Sequence, residues 1–141
     1  MAISVKFDTI LQKLREKDTT TSSANVLEFS GICTASEAVG DPVYLDSSGF
    51  LRTADASTFS KSKVVGFIVS KASPTTCVVR ISGTITLSGL TPGVPYFLGI
   101  APTTLTATPP TGAGSVINCL GIGRDSATFI ILIGSNLTVR S

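Results

Sequence analysis

Three carboxylates lie close together in the chain, Asp41, Asp46 and Asp55, and glycoside hydrolysis needs two such groups flanking a cleft. Each sits among small polar residues, where an aspartate accepts hydrogen bonds from its own turn, and that local role is the expected one. Nothing else completes a catalytic set. The chain has no histidine, which excludes a Ser-His-Asp or Cys-His nucleophile, an HExxH zinc site and an imidazole general base. Cys33, Cys77 and Cys119 lie about forty residues apart. An odd number at that spacing makes neither a metal-binding CxxC pair nor a disulfide framework, and we read all three as small buried apolar residues in a reducing compartment. No cofactor or metal is implied. Gly121-Ile122-Gly123 lacks the third glycine and the βαβ context of a dinucleotide fingerprint, and Ser88-Gly89-Leu90-Thr91-Pro92-Gly93 lacks the lysine of a phosphate loop. Tyr44 and Tyr96 are candidate platforms for a glycan, with turn aspartates as hydrogen-bonding partners, but packing in a core or at a barrel mouth is the expected use of both.

The elements that hold these residues are short strands. From residue 26 onward, β-branched runs at 26–32, 42–45, 50–53, 64–69, 77–81, 83–87, 96–100, 105–108, 116–122 and 128–133 alternate with Gly- and Pro-containing turns. Regular short strands of this kind indicate a mainly β chain, a compact β-barrel or β-sandwich of short antiparallel strands. Asp46-Ser47-Ser48-Gly49, Lys71 to Thr76 and Arg124 to Ala127 read as hairpin connections. An echo about fifty residues long divides the body at 26–141 into two similar halves. Asp41-Pro42-Val43-Tyr44-Leu45, Leu51-Arg52-Thr53-Ala54, Val65-Gly66-Phe67-Ile68 and Val78 to Gly83 are answered by Gly93-Val94-Pro95-Tyr96-Phe97-Leu98, Leu105-Thr106-Ala107, Leu120-Gly121-Ile122 and Phe129 to Gly134. The run from Phe129 to Ile133 is apolar at every position. It is expected to be covered on both faces, between sheets or against another subunit, which makes Phe129, Ile131 and Ile133 candidates for an oligomer interface.

Residues 1–18 have a different character. Phe7, Ile10, Leu11 and Leu14 recur at i, i+3, i+4, i+7, the stripe of an amphipathic helix. A helix that short is marginal alone, so the spacing predicts a short N-terminal α-helix that docks through those four residues, followed by a Ser/Thr linker at 19–25. Seven of the twenty charged residues fall in this segment. The body is correspondingly poor in charge, in a chain that is only 14% charged and 43% hydrophobic, against about a quarter charged in a typical domain. Such composition excludes disorder, and no apolar run is long enough for a spanning helix. A net charge of +2 with scattered basic residues gives no footprint for nucleic acid or an acidic membrane. No secretion signal is evident.

Gly40-Asp41-Pro42-Val43-Tyr44-Leu45-Asp46-Ser47-Ser48-Gly49 with Leu51-Arg52-Thr53-Ala54-Asp55-Ala56, Gly83-Thr84-Ile85-Thr86, Gly89-Leu90-Thr91-Pro92-Gly93 with Tyr96-Phe97-Leu98, and Leu105-Thr106-Ala107-Thr108-Pro109-Pro110-Thr111-Gly112 together resemble small β modules in structural proteins of tailed bacteriophages. The resemblance covers about residues 38–135. It implies a non-enzymatic virion component made in the host cytoplasm, a homo-oligomer, commonly a trimer, whose partners are other virion proteins. The N-terminal segment is similar to the attachment helices of fibre proteins, which favours a tail-fibre or baseplate appendage. A capsid decoration protein is the alternative, and a carbohydrate-binding module is the alternative from another class.

Overall fold

Valine, isoleucine, threonine and aromatic side chains suit a pleated, half-buried surface, and the turn residues between them divide the chain into short strands. The computed structural model describes residues 26–134 and 137–141. The expected helix and linker lie outside the described residues. Among those residues the strands are β1 (Leu27–Ile32), β2 (Pro42–Leu45), β3 (Leu51–Thr53), β4 (Gly66–Ser73), β5 (Thr76–Thr86), β6 (Pro95–Leu98), β7 (Leu105–Thr106), β8 (Val116–Ile117), β9 (Cys119–Gly123), β10 (Thr128–Ile131) and β11 (Thr138–Val139). Their sole helical element is a 3-10 turn at Ser60–Ser62.

The strands make a curled antiparallel half-barrel sheet in the order β3-β2-β4-β5-β10-β9-β6-β7. β1 pairs with the first part of β5, and β8 pairs with β11 apart from the main sheet. All three expected hairpin connections are present. In the first, Asp46 Oδ1 accepts the N–H groups of Ser48 and Phe50, each at 2.9 Å, and Gly49 takes a φ of 81°. Two runs expected as separate strands, 77–81 and 83–87, are one strand, because β5 passes through Gly83 at a φ of 101°. Conversely, 116–122 divides into β8 and β9 at Asn118, whose buried side chain donates to the Ser62 carbonyl at 2.8 Å. β11 is too short to leave a sequence signal.

The strand order repeats. Read inward from its edge, one half runs β3-β2-β4-β5 and the other β7-β6-β9-β10, and the two meet where β5 pairs with β10 from Thr86–Thr128 to Gly83–Ile131. Loop hydrogen bonds repeat with it. Gly40 N–H donates to Ile68 O and Gly93 N–H to Gly123 O, both at 2.7 Å, while the return bonds from Ile68 to Asp41 O and from Gly123 to Val94 O are both 3.0 Å. In each half a glycine permits the closest strand approach. A Cβ at Gly66 would meet Arg80 O at 2.5 Å, and one at Gly121 would meet Ile130 O at 1.9 Å.

Two cores result. The larger spans both halves and centres on Phe129, whose ring meets Phe67 edge-on at 5.5 Å and Tyr96 at 6.3 Å. The smaller lies in the first half and joins Val43, Leu51, Ile68 and Val79 to Cys33 and Cys77. Ala56 ties the halves together at the far side of the curl, donating its N–H to Gly99 O at 2.8 Å and accepting from Val116 N–H at 2.9 Å.

Gly121→Ala is expected to destabilise the protein by about 3 kcal/mol or more, since the clash is with backbone that cannot rotate away. Gly112→Ala, where nothing lies within 4 Å of the new Cβ, should stay within about 0.5 kcal/mol of the parent. Chemical denaturation of both variants checks the contrast.

Candidate functional site

Each of the three candidate aspartates accepts hydrogen bonds from nearby backbone. Asp46 caps the β2–β3 turn as described. Asp41 Oδ2 accepts the Ala38 N–H at 2.9 Å and the Thr53 hydroxyl at 3.4 Å. Asp55 Oδ1 accepts the Ser57 N–H at 3.0 Å and the Ser57 hydroxyl. Burial pushes the Asp41 carboxyl above its ordinary range, against the lowering effect of the Ala38 and Thr53 hydrogen bonds.

A fourth carboxylate escaped the sequence reading. Glu37 is 3% exposed, accepts the N–H and hydroxyl of Thr34 at 2.9 Å each, and lies 3.8 Å from Arg52 Nε. Lys71 Nζ clamps the same loop, donating to the carbonyls of Thr34 at 2.8 Å and Glu37 at 2.6 Å. The spacing Thr34-x-x-Glu37 is that of a capping box, the signal by which it could have been found.

Other candidates change place. Tyr96 is a core residue whose hydroxyl accepts the Thr91 N–H at 2.9 Å, so its ring is no platform for a ligand. Tyr44 is half-buried, directly opposite Arg52 across the β2–β3 hairpin. Phe129 and Ile131 are buried in this chain's own core, with Ile133 packed against it. As buried residues, Phe129 and Ile131 cannot form the contact face for another subunit. Residues of both halves cover Phe129 and Ile131, but the run is not covered throughout as expected, since Leu132 is 54% exposed. Phe7, Ile10, Leu11 and Leu14 lie outside the described residues. Cys33 and Cys77 are buried, but Cys119 is exposed, contrary to the reading of all three as buried. Burial, and then the neighbouring Cys33 thiol, push the Cys77 thiol up to about 12. Gly121-Ile122-Gly123 lies in β9, where its first glycine serves strand approach. Among the described residues no group of histidine, cysteine, aspartate or glutamate side chains could hold a metal ion.

Large apolar side chains do reach the surface, two of them on β1. Leu27 and Ile32 are 58% and 53% exposed. Beyond its ladder to β5, no described backbone group bonds to β1. Exposed edges are commonly shielded by lysine, proline or a bulge. β1 has neither residue, and its register shift is confined to Leu27/Glu28. Its one charge, Glu28, is held by Arg80 at 2.7 Å.

Two solution outcomes follow. A thiol reagent should titrate one cysteine, Cys119, in the native protein and all three after denaturation. Asp41 binds its proton more tightly folded than unfolded, so this site favours the fold below the unfolded value of 3.8, and that stabilisation is lost as pH rises through the raised folded value. Asp41→Asn should therefore melt higher than the parent at pH 7, with the gap narrowing as pH falls toward 4. Compared with known proteins, the chain matches no family model and no curated protein.

Proposed function

We propose that the protein is a non-enzymatic structural component of a bacteriophage virion, a homo-oligomer associated with a tail fibre or baseplate. The outer edge of β1, unpaired among the described residues, is the observation that supports self-association most directly. It offers a row of backbone donors and acceptors flanked by Leu27 and Ile32, with no free charge on the strand to oppose a neighbour. Burial of that apolar flank contributes roughly 25 cal/mol per Å². The occupant is a second copy of this chain. In a trimer, the form implied by the phage resemblance, β1 of each copy meets a different surface of the next, a heterologous contact that closes after three. The stripe Phe7, Ile10, Leu11 and Leu14 then attaches the oligomer to its neighbour in the particle.

Light scattering should give a multiple of the 14.5 kDa chain mass. Leu27→Lys with Ile32→Lys should reduce that mass to one chain, with an unchanged circular dichroism spectrum. A parent protein that stays monomeric at high concentration would overturn the reading. Leu11→Asp with Leu14→Asp should leave the oligomer intact and block incorporation into particles. Capsid decoration is the second reading, favoured by a small β body whose sheet curls onto itself, and copies per particle separate the two: hundreds for decoration, tens or fewer for a tail appendage.

A further inference from the structure

A cleft of about 320 Å³ opens where the β6–β7 turn meets the β2–β3 hairpin, and Tyr44, Arg52, Asp55, Lys61 and Glu37 line it. That volume is at the lower end of small-ligand sites. The chain brings these residues together from separate places. Tyr44 and Arg52 are cross-strand partners, Asp55 follows β3, and Lys61 is held opposite by the hydrogen bond from Asp55 N–H to its carbonyl at 3.1 Å. Thr103, on the far wall, has a φ of 65°, and among the described residues no other non-glycine residue has positive φ. A β-branched residue held there is strained, and such strain gathers at ligand sites.

The fold leaves much of this cleft's hydrogen-bonding capacity unspent. Asp55 uses Oδ1 on Ser57, and its Oδ2 has no protein partner among the described residues. Tyr44 Oη, Lys61 Nζ and the Arg52 terminal nitrogens likewise make no hydrogen bond there, the single Arg52 contact being the 3.8 Å approach of Nε to Glu37. Two carboxylates and two cations line the space, so formal charge cancels. An anionic ligand would meet Glu37 and Asp55, and a cationic one Arg52 and Lys61. A hydroxyl group both donates and accepts, and so satisfies a carboxylate and a guanidinium at once. A ligand of one or two rings carrying many hydroxyls, with apolar C–H faces to lie on an aromatic ring, suits this lining.

We propose that the cleft binds a neutral saccharide, with its ring against Tyr44 and its hydroxyls shared between Asp55 and Arg52. The proposal is independent of oligomeric state, since every lining residue named comes from one chain. The test is a calorimetric titration of the intact protein with glucose, galactose, mannose and N-acetylglucosamine and disaccharides built from them. Glucuronic acid and glucosamine serve as the anionic and cationic arms. At least one neutral sugar should bind saturably, and more tightly than either charged one. Arg52→Met, at an exposed position, and Asp55→Asn, which keeps an acceptor for Ser57, should each weaken that binding by about tenfold or more while leaving the melting temperature of the free protein nearly unchanged. Absence of saturable binding by every neutral sugar, preference for a charged one, or binding unmoved by both variants would each overturn the proposal.

Discussion

Four residue pairs, from Thr86–Thr128 to Gly83–Ile131, hold β5 against β10, and the continuity of the whole sheet depends on them. Each half of the chain is a pair of hairpins that would expose one apolar face if left alone. Pairing at this seam aligns Ile85 with Phe129 and sets the Phe129 ring against Phe67 of the first half and Tyr96 of the second. Edge-on aromatic contacts of this kind add about 0.5–1.5 kcal/mol each beyond area burial. The larger core, the curl of the sheet and the closure at Ala56 follow from that seam. Close strand approach at Gly66 and Gly121 on either side of it allows the packing to be dense.

Strand identity was legible in the sequence wherever β-branched runs ended at clear turn chemistry. The β2–β3 hairpin is the clearest instance, because Asp46 and Gly49 specify the turn on their own. Boundaries failed where a single residue reverses a local habit. Gly83 reads as a terminator but carries β5 onward through a positive φ, and Asn118 reads as neutral but breaks 116–122 by turning its amide toward Ser62. The candidate site was less legible. Tyr44 and Asp55 stood out by residue type, yet their convergence with Arg52 depends on the loop at 55–61 and the β6–β7 turn, which no local pattern encodes. Tyr44 and Tyr96 echo each other by type but hold different places on equivalent strands: Tyr96 pairs with Gly121 as Val43 does with Gly66, and both are buried, while Tyr44 corresponds to half-buried Phe97. The run from Phe129 to Ile133 shows a further limit: apolar at every position, it buries Phe129 and Ile131 but leaves Leu132 at the surface.

Two surfaces stand out, and they differ in kind. β1 offers regular backbone and aliphatic side chains, suited to a partner that itself has strand structure. The cleft beside Tyr44 offers irregular, mixed-charge polar groups fixed by short loops, suited to a small ligand that supplies donors and acceptors together. Lys71 clamps the carbonyls of Thr34 and Glu37 in the loop that follows β1 and carries Glu37 to the cleft, so the geometry of the edge and that of the cleft wall share one support.

The repeated strand order has a further consequence in how charge is distributed. Residues 26–82 carry ten charged side chains and residues 83–134 only two, Arg124 and Asp125, on nearly the same plan of strands. Two halves bonded along one seam behave as a covalent dimer whose members need not stay alike. The first holds the buried carboxylates Glu37, Asp41 and Asp55 and two of the ion pairs. The second has one exposed ion pair, Arg124–Asp125, and is otherwise uncharged, with little ionic hydration to lose when something is laid against it. Asymmetry of this sort lets a single small chain present a wet face and a dry face without adding a second domain.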